Sequence, residues 1–262
     1  MQNNAKLLLG RLTRYTIYII FTAVIGNLVI KSNSLNVSII LGVILICIVA
    51  MIFIFEYTKF NFEKAVSSIN VECDPEKGKI YLDKTLKLDL FKFYKKNRFA
   101  YDILYNISTN NPKECLNIIR KENQYFSSTI NNRLVKYSTE MISYALLDNL
   151  NQVKKSYADM DKIKNDKTLI KGASPTFNWK EYECINEYAS GNYKKAINLF
   201  NNVDTYSMDN REKSQHYYFY ALTLYKAGNN KEAKKMIEEC LKVSNKSSFT
   251  KLSNKLLKEI SK

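Results

Sequence analysis

His216 is the only histidine in the chain, and it stands among Tyr217, Tyr218 and Phe219 in a helical pattern. That is the setting of a packed or partly exposed helix residue rather than of a general base. The five cysteines, Cys47, Cys73, Cys115, Cys184 and Cys240, are scattered without a short pairing, so their spacing makes neither a zinc site nor a redox pair. Unpaired thiols suit a reducing cytoplasm. None of the seven glycines sits in a phosphate-cradling run, which leaves nucleotide chemistry without its usual signature. The carboxylate pairs Glu181 with Glu183 and Glu238 with Glu239 read as exposed helix charge. No catalytic residue, metal ligand or cofactor is expected, and a membrane enzyme is the weakest functional reading.

The elements that would position any other function begin with two apolar stretches. Leu35 to Phe55 holds twenty-one consecutive uncharged residues, and Tyr15 to Ile30 precedes it. A helix needs roughly 20 apolar residues to cross a hydrocarbon core of about 30 Å. The second stretch meets that length. The first meets it when extended back to Leu12, with Arg14 turning its charge out to the headgroups. The short polar connection Lys31–Asn36 then requires an antiparallel hairpin. A signal peptide shares the basic start and apolar run, but its small residues Ala23 and Gly26 lie mid-run with Leu28, Val29 and Ile30 still to come. A lipid-modified Cys47 is disfavoured by the bulky Ile46 before it.

Basic residues are retained on the cytoplasmic side. Lys6, Arg11 and Arg14 precede the first span, Lys59 and Lys64 follow the second, and the connection carries only Lys31. Both ends are therefore expected in the cytoplasm, with the chain a multi-pass protein of the plasma membrane. A composition heavy in Lys, Asn and Ile resembles that of AT-rich bacteria. Thr22 and Gly26 on the first span and Ser38 and Gly42 on the second are small residues four apart, a spacing that lets helices approach closely. Asn27 is expected to hydrogen-bond across the same seam.

Beyond Phe55 the chain carries 36 basic and 25 acidic residues, the character of a water-facing domain. Glu56–Asn70 is expected to prolong the second helix, and Asp74-Pro75 reads as a helix start. Leu82, Leu86, Leu90 and Phe93 continue an apolar face, with Lys92, Lys95, Lys96 and Arg98 near its end. A repeat follows. Asn110-Asn111, Asp148-Asn149, Gly191-Asn192 and Gly228-Asn229 punctuate the sequence at intervals of 38, 43 and 37 residues. Gly, Asn and Asp are the residues that most readily take left-handed backbone, so each pair predicts a helix–turn–helix corner. Five residues after each pair opens stand Cys115, Val153, Ala196 and Ala233. Four further on stand Ile119, Tyr157, Phe200 and Ile237 on the same helical face.

These units resemble the tetratricopeptide repeat. Tyr188-Ala-Ser-Gly191-Asn-Tyr193-Lys-Lys-Ala196-Ile-Asn-Leu-Phe200 matches the second half of that motif, and Gly228, Ala233 and Ile237 continue it. Ala221 and Cys184 match the small residue of the first helix. The family's tryptophan and terminal proline are missing from every unit, and the first two units lack the corner glycine. The resemblance implies a solenoid that binds an extended peptide or a helix in its concave groove, where Tyr188, Tyr218, Tyr225 and Lys226 would lie. Glu181 and Tyr218 stand where the family's carboxylate clamp requires lysine, so chaperone-tail recognition is not expected.

Phe249, Leu252, Leu256 and Ile260 form one face of a last helix and Lys251, Lys255, Lys258 and Lys262 another, as a terminal cap requires. The lysine stripe also suits an anionic surface; no nucleic-acid motif accompanies it, and nucleic acid is not an expected partner. The sequence thus predicts an all-α protein: a two-helix transmembrane hairpin, then a tetratricopeptide-like α-solenoid with a C-terminal capping helix. Its expected parts are an N-terminal tail with two spans (1–57), a juxtamembrane helical linker (58–96) and the repeat domain (97–262). The expected function is a membrane-anchored scaffold or adaptor for a protein or peptide, with a membrane-associated peptide-signal receptor as the alternative.

Overall fold

The structure is a computed structural model that describes residues 2–90 and 92–262; side chains of residues 2–11 and 96 are not among the described parts. The side chains of Lys6 and Arg11 of the orientation argument, and that of Lys96, therefore lie outside the described parts. Among the described residues there are thirteen α-helices and no strand. The chain divides into two compact units, residues 1–62 with 84–90 and residues 63–83 with 91–262. The stretch expected as a linker, 58–96, is thus shared between the two.

In the N-terminal unit, α1 (Gln2–Lys31) and α2 (Leu35–Asn70) are both long and apolar enough to cross a membrane. Ile30 is 83% and Phe53 72% exposed, and outward-facing apolar surface of this kind marks a site of contact with a membrane or another protein. At about 1.5 Å per residue, the 36 residues of α2 run about 54 Å and exceed a hydrocarbon core of about 30 Å by between four and five turns, which leaves room for the expected extension past Glu56. The helices run antiparallel: Ser38 Oγ donates to the Val29 carbonyl at 3.4 Å near the connection, and Arg14 pairs with Glu56 at 3.0 Å near the other end. Arg14 thus answers a carboxylate on the neighbouring helix rather than turning outward alone.

The expected small-residue seam is corrected in its detail. Thr22, Gly26, Ser38 and Gly42 are half-buried, but a Cβ added at Gly26 or Gly42 would meet nothing within 4 Å. The backbones do not make the close approach that glycine would permit, because the larger Ile25, Val29, Leu41 and Leu45 share the half-buried faces. Asn27 is exposed and lies off the seam.

In the C-terminal unit, Asp74 opens α3 (Pro75–Leu88) as read from sequence, its Oδ1 accepting from Lys77 N at 3.1 Å. One turn in, Gly78 lets α3 lie against the end of α2. A Cβ there would stand 2.9 Å from the Ala65 carbonyl oxygen and from the Tyr101 hydroxyl, and backbone cannot yield as a flexible side chain does. The expected apolar face stops early. The helix ends at Leu88, Lys92 takes positive φ, and Leu90 and Phe93 are exposed.

Four helix pairs follow: α4 (Lys95–Ser108) with α5 (Pro112–Lys121), α7 (Ile130–Leu146) with α8 (Leu150–Asn165), α9 (Trp179–Ala189) with α10 (Tyr193–Asn201), and α11 (Asn210–Lys226) with α12 (Asn230–Ser244). The short α6 (Asn123–Ser127) and a 3₁₀ turn (Leu169–Gly172), neither expected, fill the longer connections. All four corners fall where the punctuation placed them. Asn110, Asp148, Gly191 and Gly228 have φ of 60°, 56°, 76° and 79°. Each following asparagine N–H bonds the carbonyl five residues back: Asn111 to Asn106, Asn149 to Tyr144, Asn192 to Glu187 and Asn229 to Leu224, at 2.7 to 3.0 Å. With the bonds from Asn110, Asp148, Gly191 and Gly228 to the carbonyls three back, this is the Schellman arrangement, which satisfies carbonyls left open at a helix end. Cys115, Val153, Ala196 and Ala233 are fully buried just beyond, as are Ile119, Phe200 and Ile237, while Tyr157 is half-buried.

The last helix, α13 (Ser248–Ile260), buries Phe249, Leu256 and Ile260, half-buries Leu252 and leaves Lys251, Lys255 and Lys258 exposed, as is Lys262 beyond its end. It packs against α11 and α12 and also against α4, with Ser248 Oγ donating to the Ile107 carbonyl at 2.8 Å. Ile103 and Ile107 of α4 share one core with Phe219, Cys240 and Phe249. The first and last helices of the stack therefore meet.

The turn before α13 is also tied to the start of α3, by Lys246 N to the Cys73 carbonyl at 3.1 Å and Lys246 Nζ to Asp74 Oδ2 at 2.6 Å. Burial pushes the Asp74 carboxyl up, but hydrogen bonds from Lys246 and Lys77 N outweigh it and hold the carboxyl below its usual range. A depressed carboxylate stabilises the fold above the unfolded-state value, about 3.9, and ceases to do so as pH falls through the folded-state value. Asp74→Asn keeps a capping side chain and removes the charge. With Lys246 largely exposed, it is expected to cost under about 1 kcal/mol at pH 7. Urea midpoints in detergent micelles should converge with the parent's as pH falls through the depressed value.

Candidate functional site

The four residues expected in a concave groove differ in exposure. Tyr188 is only 3% exposed, packed near Tyr193 with ring centroids 6.2 Å apart. Tyr218 is half-buried, its ring 5.7 Å from Phe249 of α13, and burial pushes its phenol up to about 12. Tyr225 is half-buried against the cluster of Leu224, Ile237 and Leu256, and only Lys226 is exposed. Tyr188, expected as a contact residue, is thus core, and Tyr218 packs half-buried against that core. Phe249 of α13 covers part of Tyr218. Lys251, Lys255, Lys258 and Lys262 remain exposed, the first two lining a cavity of about 390 Å³ with Lys246, Ser108 and Pro75.

The thiols are equally withdrawn. Cys73, Cys115, Cys184 and Cys240 are buried, and burial pushes Cys115 up to about 12 and Cys240 up to about 11, so these are protonated, unreactive groups at neutral pH. Cys47 is exposed on α2. Among the described residues whose side chains are placed, no cluster of three metal-ligating groups occurs.

The polar chemistry gathers instead where α9 meets α11. Glu181 is not an exposed helix charge. It is 4% exposed, and its Oε2 lies 2.7 Å from Nδ1 of His216, itself 2% exposed. The imidazole is surrounded by aromatic edges, with Phe200, Tyr217 and Tyr220 centroids 5.3, 5.4 and 6.2 Å away. That is a histidine fixed by packing and by one carboxylate.

Glu181 also lines a cavity of about 230 Å³ with Phe177, Tyr182, Met208, Arg211, Glu212 and Gln215. Its walls have separate local causes. The loop before α9 is tethered by Ser174 N donating to Asn131 Oδ1 at 2.8 Å, and Asn178 caps α9 by accepting from Glu181 N. Asp209 and Glu212 open α11 with a reciprocal capping box, Glu212 N to Asp209 Oδ1 at 2.8 Å and Asp209 N to Glu212 Oε2 at 3.2 Å. Arg211 is held by Nε to Asn70 Oδ1 at 2.9 Å and pairs with Glu212 at 3.4 Å. Burial pushes the Glu212 carboxyl above its ordinary value, partly offset by Arg211. Phe177 and Tyr182 stack with centroids 5.2 Å apart at 14°.

The sequence carried two signals for this place. The Asp209-Asn-Arg-Glu212 run is a capping-box pattern, and the 43-residue interval is the longest of the three, the excess being the loop that walls the cavity. No protein family, curated protein or solved structure matches the chain.

Proposed function

We propose that the chain is a membrane-anchored binding protein whose tetratricopeptide-like helical domain acts as a scaffold or adaptor for a protein or peptide. In this reading α1 and α2 cross the plasma membrane as a hairpin, both chain ends face the cytoplasm, and the helical pairs form a short solenoid closed by its capping helix. The observation that carries the binding role is the cavity between α9 and α11, where charged side chains stand beside a stacked aromatic wall. A few placed polar groups against apolar lining is the composition of a recognition pocket. The burial of Tyr188 moves the expected contact away from the concave groove and onto this end of the helices. The small volume favours a second reading, a receptor for a free signal peptide, because about 230 Å³ takes one residue rather than a long segment.

A photo-crosslinking residue at Thr176, which lines the cavity and is exposed, should capture a discrete partner in intact cells, while one at Tyr225 should not. Capture from Tyr225 alone would return the contact to the groove. A free peptide ligand at 100-fold over its dissociation constant would add about 2.7 kcal/mol to the stability of the purified chain, which separates receptor from scaffold.

A further inference from the structure

Glu181 lines the α9–α11 cavity, and one of its two oxygens is enclosed without a partner among the described residues. Glu212 is engaged by Asp209 N on one oxygen and by Arg211 on the other. Glu181 Oε2 is engaged by His216, but Glu181 Oε1 is buried with no hydrogen-bond partner among the described residues. A buried polar atom left unpaired is costly, and more so on a carboxylate. A carboxylate only accepts hydrogen bonds, so an occupant must bring donors. Arg211 and Glu212 engage one another, and the open oxygen of Glu181 would accept most strongly from a cationic donor. The stacked rings of Phe177 and Tyr182, with Met208, offer apolar and π surface to the stem that carries such a cation. The cavity, about 230 Å³, is smaller than the roughly 300 to 1,000 Å³ of pockets that take whole small molecules. It has room for one side chain or one chain terminus.

We propose that this cavity is a binding site for a primary ammonium group on a short stem, as borne by a lysine side chain or a peptide N-terminus, with Glu181 Oε1 accepting from it. The choice of a peptide as the source rests on the function proposed above; the site itself stands on the cavity and the unpaired oxygen.

The test uses the full chain in phosphatidylcholine nanodiscs, in amine-free buffer, with three probes followed by ligand-observed NMR. Nα-acetyl-lysine methylamide presents a side-chain ammonium, alanine methylamide presents a terminal one, and Nα-acetyl-norleucine methylamide presents none. At least one of the first two is expected to bind about 10-fold or more tightly than the norleucine compound, and the one that binds identifies the source. Glu181→Gln, which keeps an acceptor for His216, is expected to abolish that preference. Equal binding of the norleucine compound, binding of none, or an unchanged preference in Glu181→Gln overturns the site. The comparison of lysine with norleucine on the unsubstituted chain does not depend on the variant folding. A partner captured at Thr176 through a segment lacking both lysine and a free N-terminus overturns the ammonium site and leaves the peptide reading. Amine binding with no partner captured does the reverse.

Discussion

Glu181→Leu is expected to destabilise the helical domain by at least about 1–3 kcal/mol, because it leaves His216 Nδ1 buried without a partner. The imidazole is otherwise packed against the rings of Phe200, Tyr217 and Tyr220. The double variant Glu181→Leu with His216→Phe removes both polar partners and is expected to recover most of the loss, as buried pairs replaced by apolar residues of similar volume commonly do. Glu181→Gln retains an acceptor and should cost less than the leucine variant. Urea unfolding of the full chain in detergent micelles, followed by the helical circular dichroism signal, gives the three values. A leucine variant as stable as the parent would mean that the 2.7 Å contact contributes nothing to the fold.

The same pair shows why part of this fold was readable in one dimension and part was not. The four corners were legible because left-handed backbone is a local demand that only a few residue types meet, and Asn110, Asp148, Gly191 and Gly228 meet it. The Asp74 cap and the length of α2 were legible for the same reason: each rests on residues within a few positions of one another. Glu181 and His216 lie 35 residues apart on different helices, and Ser248 reaches Ile107 across 141 residues. No periodicity announces such pairings. The burial of Tyr188 and Tyr218 was not legible because a tyrosine at helical spacing fits a groove and a core equally well, and what decides is which ring lies opposite, Tyr193 for the first and Phe249 of α13 for the second. The seam between α1 and α2 was legible as a half-buried face, but its spacing is set by the larger residues beside the glycines.

Phe200→Ala is the second substitution with a large expected effect, about 3–5 kcal/mol. Phe200 is fully buried, stacks on Tyr220 at 5.2 Å and 14°, and meets the His216 ring edge-on at 5.3 Å. Truncation removes the aromatic contact and opens a void beside the imidazole, so its effect should not be confined to lost apolar area. Residues in one contact network couple by about 0.5–3 kcal/mol, whereas distant sites add within about 0.5 kcal/mol. A double-mutant cycle of Phe200→Ala with Glu181→Gln is therefore expected to be non-additive, because both substitutions loosen the same histidine. Phe126→Ala, which empties an equally buried position beside Tyr125 in another part of the core, supplies the control and should add to Glu181→Gln without coupling. Equal coupling in both cycles would mean that the whole core yields together. Coupling confined to Phe200 would mean that packing around His216 holds the Glu181 carboxylate in place, which ties the strength of the cavity's acceptor to a ring that never touches the cavity's occupant.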